Sequence, residues 1–269
     1  MRMKSIRSPF AVLLIVSLAA LHAVSQAPEL KVMTSGGFTA AYRELVPEFE
    51  RDSGYKVSTA YGASMGSAPD SIPNRLRRGE SADVVILASP ALDLLVAQGK
   101  VVRGSRVDLA ESIIGMAVRA GATKPDIHTV DALRSSLLNA KSIAFSGSAS
   151  GVYLSTELFQ RLGIADQIHA KCKKIESEMV GTVVARGDAE IGFQQMSELL
   201  PIPGIDIVGP LPSEVQRVTI FSGGVTVDAN QPSLAMHLLR FFASPAAAQV
   251  IEKSGMRTIA QPMRTRSPT

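Results

Sequence analysis

The strongest constraint on the fold of this chain is the alternation of short apolar runs with stretches of helical period. LKVMTS (residues 30–35) has the length and apolar continuity of a buried strand, and Phe38, Tyr42, Leu45 and Phe49 then recur at helical spacing. KVSTAY (56–61) reads as a second strand, followed after the loop GASMGSAPDS by a short helix through Ile72 and Leu76. DVVIL (83–87) is a third strand, and Pro90 opens the next helix, where its missing N–H costs nothing. Three successive β-α units define an α/β protein, because a strand that is apolar on both faces needs helices to cover it. Further on, IIGMAVRA, SIAFS, EIGFQQ and RVTIFSGGVTV read as strands, and residues 205–208 as a short edge strand. Helices are predicted over 129–139, 151–162, 232–243 and 245–253.

The first residues read as an address. Arg2, Lys4 and Arg7 precede an apolar run at 10–21, and Ala23 and Ser25 provide small residues before Gln26. This is the pattern of a cleaved secretory signal over residues 1–25, and it places the mature protein in the periplasm. Removing those three cations from 28 basic residues leaves 25 against 24 acidic ones, so the formal charge of +4 does not argue for a polyanion partner. With no Trp and 5% aromatic residues there is no stacking platform, and no nucleic acid is expected as a partner. A single Cys172 excludes an intrachain disulfide and a cysteine-based zinc site; neither a metal nor any cofactor is expected. The tail, residues 262–269, is expected to be disordered.

Small polar clusters follow three of the strands. Ser35, Gly36 and Gly37 follow the first, SGSASG (146–151) with Ser148 and Ser150 follows SIAFS, and residues 62–67 with Ser64 and Met65 follow the second. Where a helix starts directly after such a cluster, backbone N–H groups and small hydroxyls point beyond the strand end, the usual ligand position in open α/β sheets. GASMG also matches the nucleophile-elbow pattern, but Pro69 and Pro73 prevent the immediate helix an elbow requires, and His128, His169 and His237 read as structural. Arg75 shares a helix with Ile72 and Leu76 and could bring one cation inward, while Tyr153, Gln194 and Gln195 could add neutral donors.

The segments ELKVMTSGGFTAAYRELVPEFERDSGYKV, RLRRGESADVVILASPALDLLVAQGKV, SGSASGVYLSTELFQRLGI and VVARGDAEIGF together resemble the type II periplasmic solute-binding proteins, within them the molybdate-binding-like family. The resemblance implies two α/β lobes joined by two crossing strands, with the ligand in the cleft between them and closure about a hinge. The first lobe would comprise residues 26–111 and 223–261, the second 112–222. The family's first-loop serine falls at Gly37, its tyrosine falls near Gln195, and the second loop is lengthened to YGASMGSAPDSIPNR, changes that suit a larger anion such as a polycarboxylate. The resemblance thus implies a monomer that binds a small oxyanion or carboxylate and delivers it to the permease of an ABC-type transporter. Periplasmic aconitate isomerase is similar to the same family, which implies an alternative use of the cleft: cis/trans-aconitate interconversion, needing a base and donors for the developing negative charge. The sequence identifies no such base.

Overall fold

The computed structural model describes residues 29–259; the segment 1–25 expected to be a secretory signal and the tail over 262–269 lie outside them. The chain opens with β1 (Glu29–Ser35), α1 (Gly36–Ser53), β2 (Lys56–Gly62), α2 (Ile72–Arg77), β3 (Val84–Ala88), α3 (Ser89–Ala97) and β4 (Val107–Ser112). Next come β5 (Ile114–Arg119), α4 (Val130–Asn139), β6 (Ile143–Ser146) and α5 (Ala149–Tyr153). The helix runs on through a π-helical turn at Leu154–Leu158 into α6 (Phe159–Arg161), before α7 (Ala165–Ile168), β7 (Cys172–Ile175) and α8 (Val180–Ala185). After β8 (Ile191–Gln195), α9 (Met196–Leu199) and β9 (Ile205–Pro210), the chain ends with β10 (Thr219–Val225), α10 (Pro232–Phe242), α11 (Pro245–Lys253) and β11 (Arg257–Thr258).

The strands form two mixed sheets, ordered β11-β4-β10-β3-β1-β2 and β7-β6-β8-β5-β9. In the first, β1 runs parallel to β2 and β3, while β10 is antiparallel to β3 and β4. In the second, β6 runs parallel to β7 and β8, and β5 is antiparallel to β8 and β9. Every residue of β3 is buried, which explains its unbroken apolar sequence. Helix α1 buries Phe38, Tyr42, Leu45 and Phe49, and it stops where Gly54, at φ 74°, donates its N–H to Glu50 O. Phe38 and Tyr42 each meet the ring of Phe242, at centroid distances of 5.7 Å, so the returning helix α10 closes the core begun by α1. A separate core around Phe145, Leu158 and Phe193 lies in the second sheet's layers.

Several elements differ from the sequence expectation for identifiable reasons. VDLAES (β4) and CKKI (β7) carry charged residues at partly exposed positions, so neither shows the apolar run that marks a strand. The segment IIGMAVRA begins one residue after β4, and only Ile113 separates β4 in one sheet from β5 in the other. The chain returns through residues 211–218, where Gln216 accepts from Ile114 N and donates to Ile114 O, both at 2.9 Å. One side-chain amide thus takes the place of a ladder pair between the two crossing segments. Gln216→Ala leaves both polar groups of Ile114 without this partner, and chemical denaturation is expected to show a loss of about 1–3 kcal/mol.

Candidate functional site

The two sheets face each other across a cleft of about 580 Å³. One wall is built by the β1-α1 and β2-α2 connections, the other by the β6-α5 connection, the end of β8 and helix α9. The walls touch directly. Ser197 donates to Gly37 O at 2.7 Å, and Ser67 donates to Glu176 Oε1 at 3.2 Å.

Ser35, Gly36 and Gly37 line the cleft at the start of α1. Ser35 is the N-cap in extended conformation, its side chain makes no cap bond, and its buried Oγ has no partner among the described residues. The hydroxyl and the first-turn N–H groups of an 18-residue helix are therefore available to an anion. At Gly37 the ring of Phe221 fills the space a side chain would need, so this chain cannot carry a serine there without displacing that ring. Ser64 also lines the cleft; its Oγ accepts from Ala88 N at 2.9 Å and retains a proton to donate. No helix begins until Ile72, which leaves Ser64 outside an elbow geometry. On the opposite wall, Ser148 and Ser150 line the cleft beside Ser146, whose hydroxyl lies 3.1 Å from that of Ser150.

Gln194 and Gln195 both line the cleft and have different freedom. Gln194 is held at both ends: Oε1 accepts from Val180 N at 2.9 Å and Nε2 donates to Glu198 Oε1 at 3.1 Å. Gln195 donates from Nε2 to Thr219 Oγ1 at 3.0 Å, while its buried Oε1 has no partner among the described residues. Because a threonine hydroxyl can accept or donate, this amide can present either end to a ligand.

Three of the expected contacts lie elsewhere. Arg75 sits on α2 with its guanidinium committed to Glu80 at 2.6 Å and to the carbonyls of Asp70 and Tyr61. Tyr153 is buried in the second core, donating to Val215 O at 2.7 Å beneath the guanidinium of Arg217. Met65 packs against the first sheet's cores. In their stead the cleft is lined by six charged side chains that the sequence pattern does not mark: Glu44, Asp70, Glu176 and Glu178, together with Arg43 from α1, stacked 5.0 Å over the Tyr61 ring, and Glu198 from α9. Arg43 stands two turns into an amphipathic helix and reads as a solvated cation; Glu198 stands three residues beyond a strand end and reads as an ordinary helix acid.

Glu198 is the unusual group. It is half-buried, a Cβ on Gly36 would overlap its Oε1, and it has no ion pair among the described residues. Glu176 and Glu178, by contrast, pair with Lys174 and Arg186 at 2.6 Å. Burial pushes the Glu198 carboxyl up to about 7, against the opposing pull of hydrogen bonds from Gln194 and the Gln195 backbone.

An α/β fold in which two crossing segments join two sheets around a polar, hydroxyl-lined cleft is the architecture of a solute-binding protein. The chain belongs to the bacterial extracellular solute-binding protein family, whose model matches residues 30–257, and within it to the molybdate-binding-like type. It is 49% identical over 243 residues to an aconitate isomerase from Pseudomonas sp., covering 90% of this chain and 93% of that protein. It is 26% identical over 255 residues to the molybdate-binding protein ModA of Azotobacter vinelandii, covering 90% and 96% of the two chains. The solved periplasmic molybdate-binding protein of Azotobacter vinelandii has a TM-score of 0.68 at 22% identity, with 86% and 100% coverage.

The Glu198 carboxyl also sets a sign for stability. A carboxyl raised on folding keeps its proton in the native state while the unfolded chain releases it, so stability falls as pH rises from the unfolded value of about 4.5 to about 7. Glu198→Gln removes that loss. Melting curves of the two proteins are expected to coincide near pH 4 and to separate between about pH 4.5 and pH 7, with the variant more stable by on the order of 2 kcal/mol above that window.

Proposed function

We propose that this protein works in the periplasm as a monomer, binds a small polycarboxylate in the cleft and interconverts cis- and trans-aconitate there. The observation that carries this reading is the composition of the cleft. Serine hydroxyls, side-chain amides and the start of α1 offer neutral donors from two walls, and Arg43 adds a cation among them. Neutral donors hold an anion by direct hydrogen bonds in a site of low dielectric, and a guanidinium adds a planar match for one carboxylate. A cleft of about 580 Å³ also has room for a tricarboxylate. The aconitate isomerase of Pseudomonas sp., similar along nearly its whole length, supports the assignment of substrate and reaction.

The chemistry is a proton shift along an allylic system. As the methylene C–H bond breaks, negative charge spreads towards the adjoining carboxylate, and donors already aimed at that position stabilise the charged state without reorganising. Ser35, Ser148 and Ser150 with the first turn of α1 would supply this stabilisation. A second reading is favoured by the family and by the molybdate-binding relative: capture of an oxyanion or carboxylate for delivery to an ABC-type permease.

Proton NMR of the purified protein with trans-aconitate separates the two. The isomerase reading expects the vinyl signal of cis-aconitate to grow only when protein is present. Protein-dependent broadening at constant composition would leave capture for transport as the function, and no effect on the spectrum would remove aconitate as the ligand. Arg43→Ala is expected to weaken aconitate binding about tenfold or more, read by calorimetric titration, because a charge-assisted hydrogen bond is lost.

A further inference from the structure

We propose that Glu198 is the catalytic residue that carries the proton in this isomerisation, with Gln194 as the residue that positions its carboxyl. The inference rests on the aconitate isomerase reading and supplies the base that the sequence does not reveal. An anion-binding cleft has no use for an unpaired carboxylate as a ligand contact, since like charges repel and desolvation of both adds to the cost. Yet Glu198 stands on the cleft wall against Gly36, at the helix start where a substrate carboxylate would be cradled.

The alternatives within the cleft are few. His128, His169, His237 and Cys172 are not among the residues lining it. Glu176 and Glu178 are ion-paired, Glu44 lies on the exposed side of α1, and Asp70, on the β2-α2 connection, has no side-chain hydrogen bond among the described residues to orient its carboxyl, whereas Glu198 has that of Gln194. Gln194 cannot swap its amide ends, because Val180 N requires an acceptor; its Nε2 therefore always faces Glu198 Oε1 and fixes the carboxyl's orientation. The burial that raises the Glu198 carboxyl to about 7 brings it close to the operating range of a group that must both take and return a proton.

The step balances without an oxidant, a reductant or water. The Glu198 carboxylate forms an O–H bond as the methylene C–H bond of aconitate breaks, and the electron pair enters the allylic system and its adjoining carboxylate. The O–H bond then breaks as a C–H bond forms at the former vinyl carbon, leaving the double bond between the central carbon and the former methylene carbon. Glu198 returns to its ionised state.

Glu198 also occupies the third position of α9, where a glutamate can cap the backbone N–H of Gln195. Glutamine caps equally well there, so Glu198→Gln keeps the cap and removes the base. The full-length protein is assayed by proton NMR turnover of trans-aconitate, with propane-1,2,3-tricarboxylate, a saturated analogue, as the calorimetric binding probe. The expected result is a fall in kcat of about a hundredfold or more, with affinity for the tricarboxylate changed by less than about tenfold. Folded Glu198→Gln turning over within tenfold of the wild type overturns the proposal.

Should that variant fail to fold, the pH profile of Glu198→Asp decides. The wild-type kcat/KM is expected to rise with pH through about 7. A midpoint displaced in Glu198→Asp supports the proposal, and a superimposable profile overturns it. The other charged groups lining the same space are Arg43 and Glu44 from α1, Asp70 from the β2-α2 connection, and Glu176 and Glu178 beyond β7; all are unchanged in both variants. A wild-type protein that binds the tricarboxylate but turns over neither aconitate isomer overturns the isomerase reading itself, and does so without reference to any variant.

Discussion

Ile113 is the single residue between a strand of one sheet and a strand of the other, and the whole cleft depends on that short crossing. Because β4 and β5 follow each other almost without a break, the two sheets must lie close together, with the ends of their strands turned towards a shared space. The return segment is tied to the same point by the two bonds between Gln216 and Ile114. Donors that are far apart in sequence, such as Ser35 and Ser150, are thereby brought to opposite sides of one site. Ser197 and Gly37 make this proximity concrete, since their hydrogen bond passes from one wall to the other.

A charge on the wall of a cleft assembled in this way is costly unless it is paired or reaches solvent. Each buried charge must recover its lost hydration from partners, and neutral donors do so for an incoming anion without first paying to desolvate a cation. Two of the charged side chains that line it are informative for that reason. Arg43 keeps its guanidinium over the Tyr61 ring, where it retains contact with solvent. Glu198 solves the problem through its protonation state: with its carboxyl raised to about 7, a fraction is neutral at physiological pH, and the rest is ionised and able to take a proton. A solute-binding fold could thus acquire proton transfer by admitting one acid into a site otherwise built for holding.

Much of the architecture was legible because burial and apolar sequence coincide. DVVIL, LKVMTS and SIAFS are strands buried largely on both faces, and their apolar runs announce them. The serine and glycine clusters were legible too, since a helix that starts on such residues has few other uses for unpaired hydroxyls and N–H groups. Side-chain direction was not. Arg75 and Tyr153 stand close in sequence to cleft residues, but Glu80 and the Val215 carbonyl lie within reach and claim their polar atoms. Glu198 was hidden for the opposite reason: nothing in MSELL distinguishes a solvated helix acid from one pressed against Gly36 by the fold. Gly37 likewise looked only like a departure from a family serine until the Phe221 ring, 184 positions later in the chain, was found in the space.

The most direct test of this account is a crystal structure of the protein with propane-1,2,3-tricarboxylate. The ligand's carboxylates are expected on Ser35, Ser148, Ser150 and Arg43, with a Glu198 oxygen within about 3.5 Å of a methylene carbon, the separation of a reacting pair. A tricarboxylate bound outside the cleft, or one within it whose methylene carbons all lie beyond reach of Glu198, would contradict it.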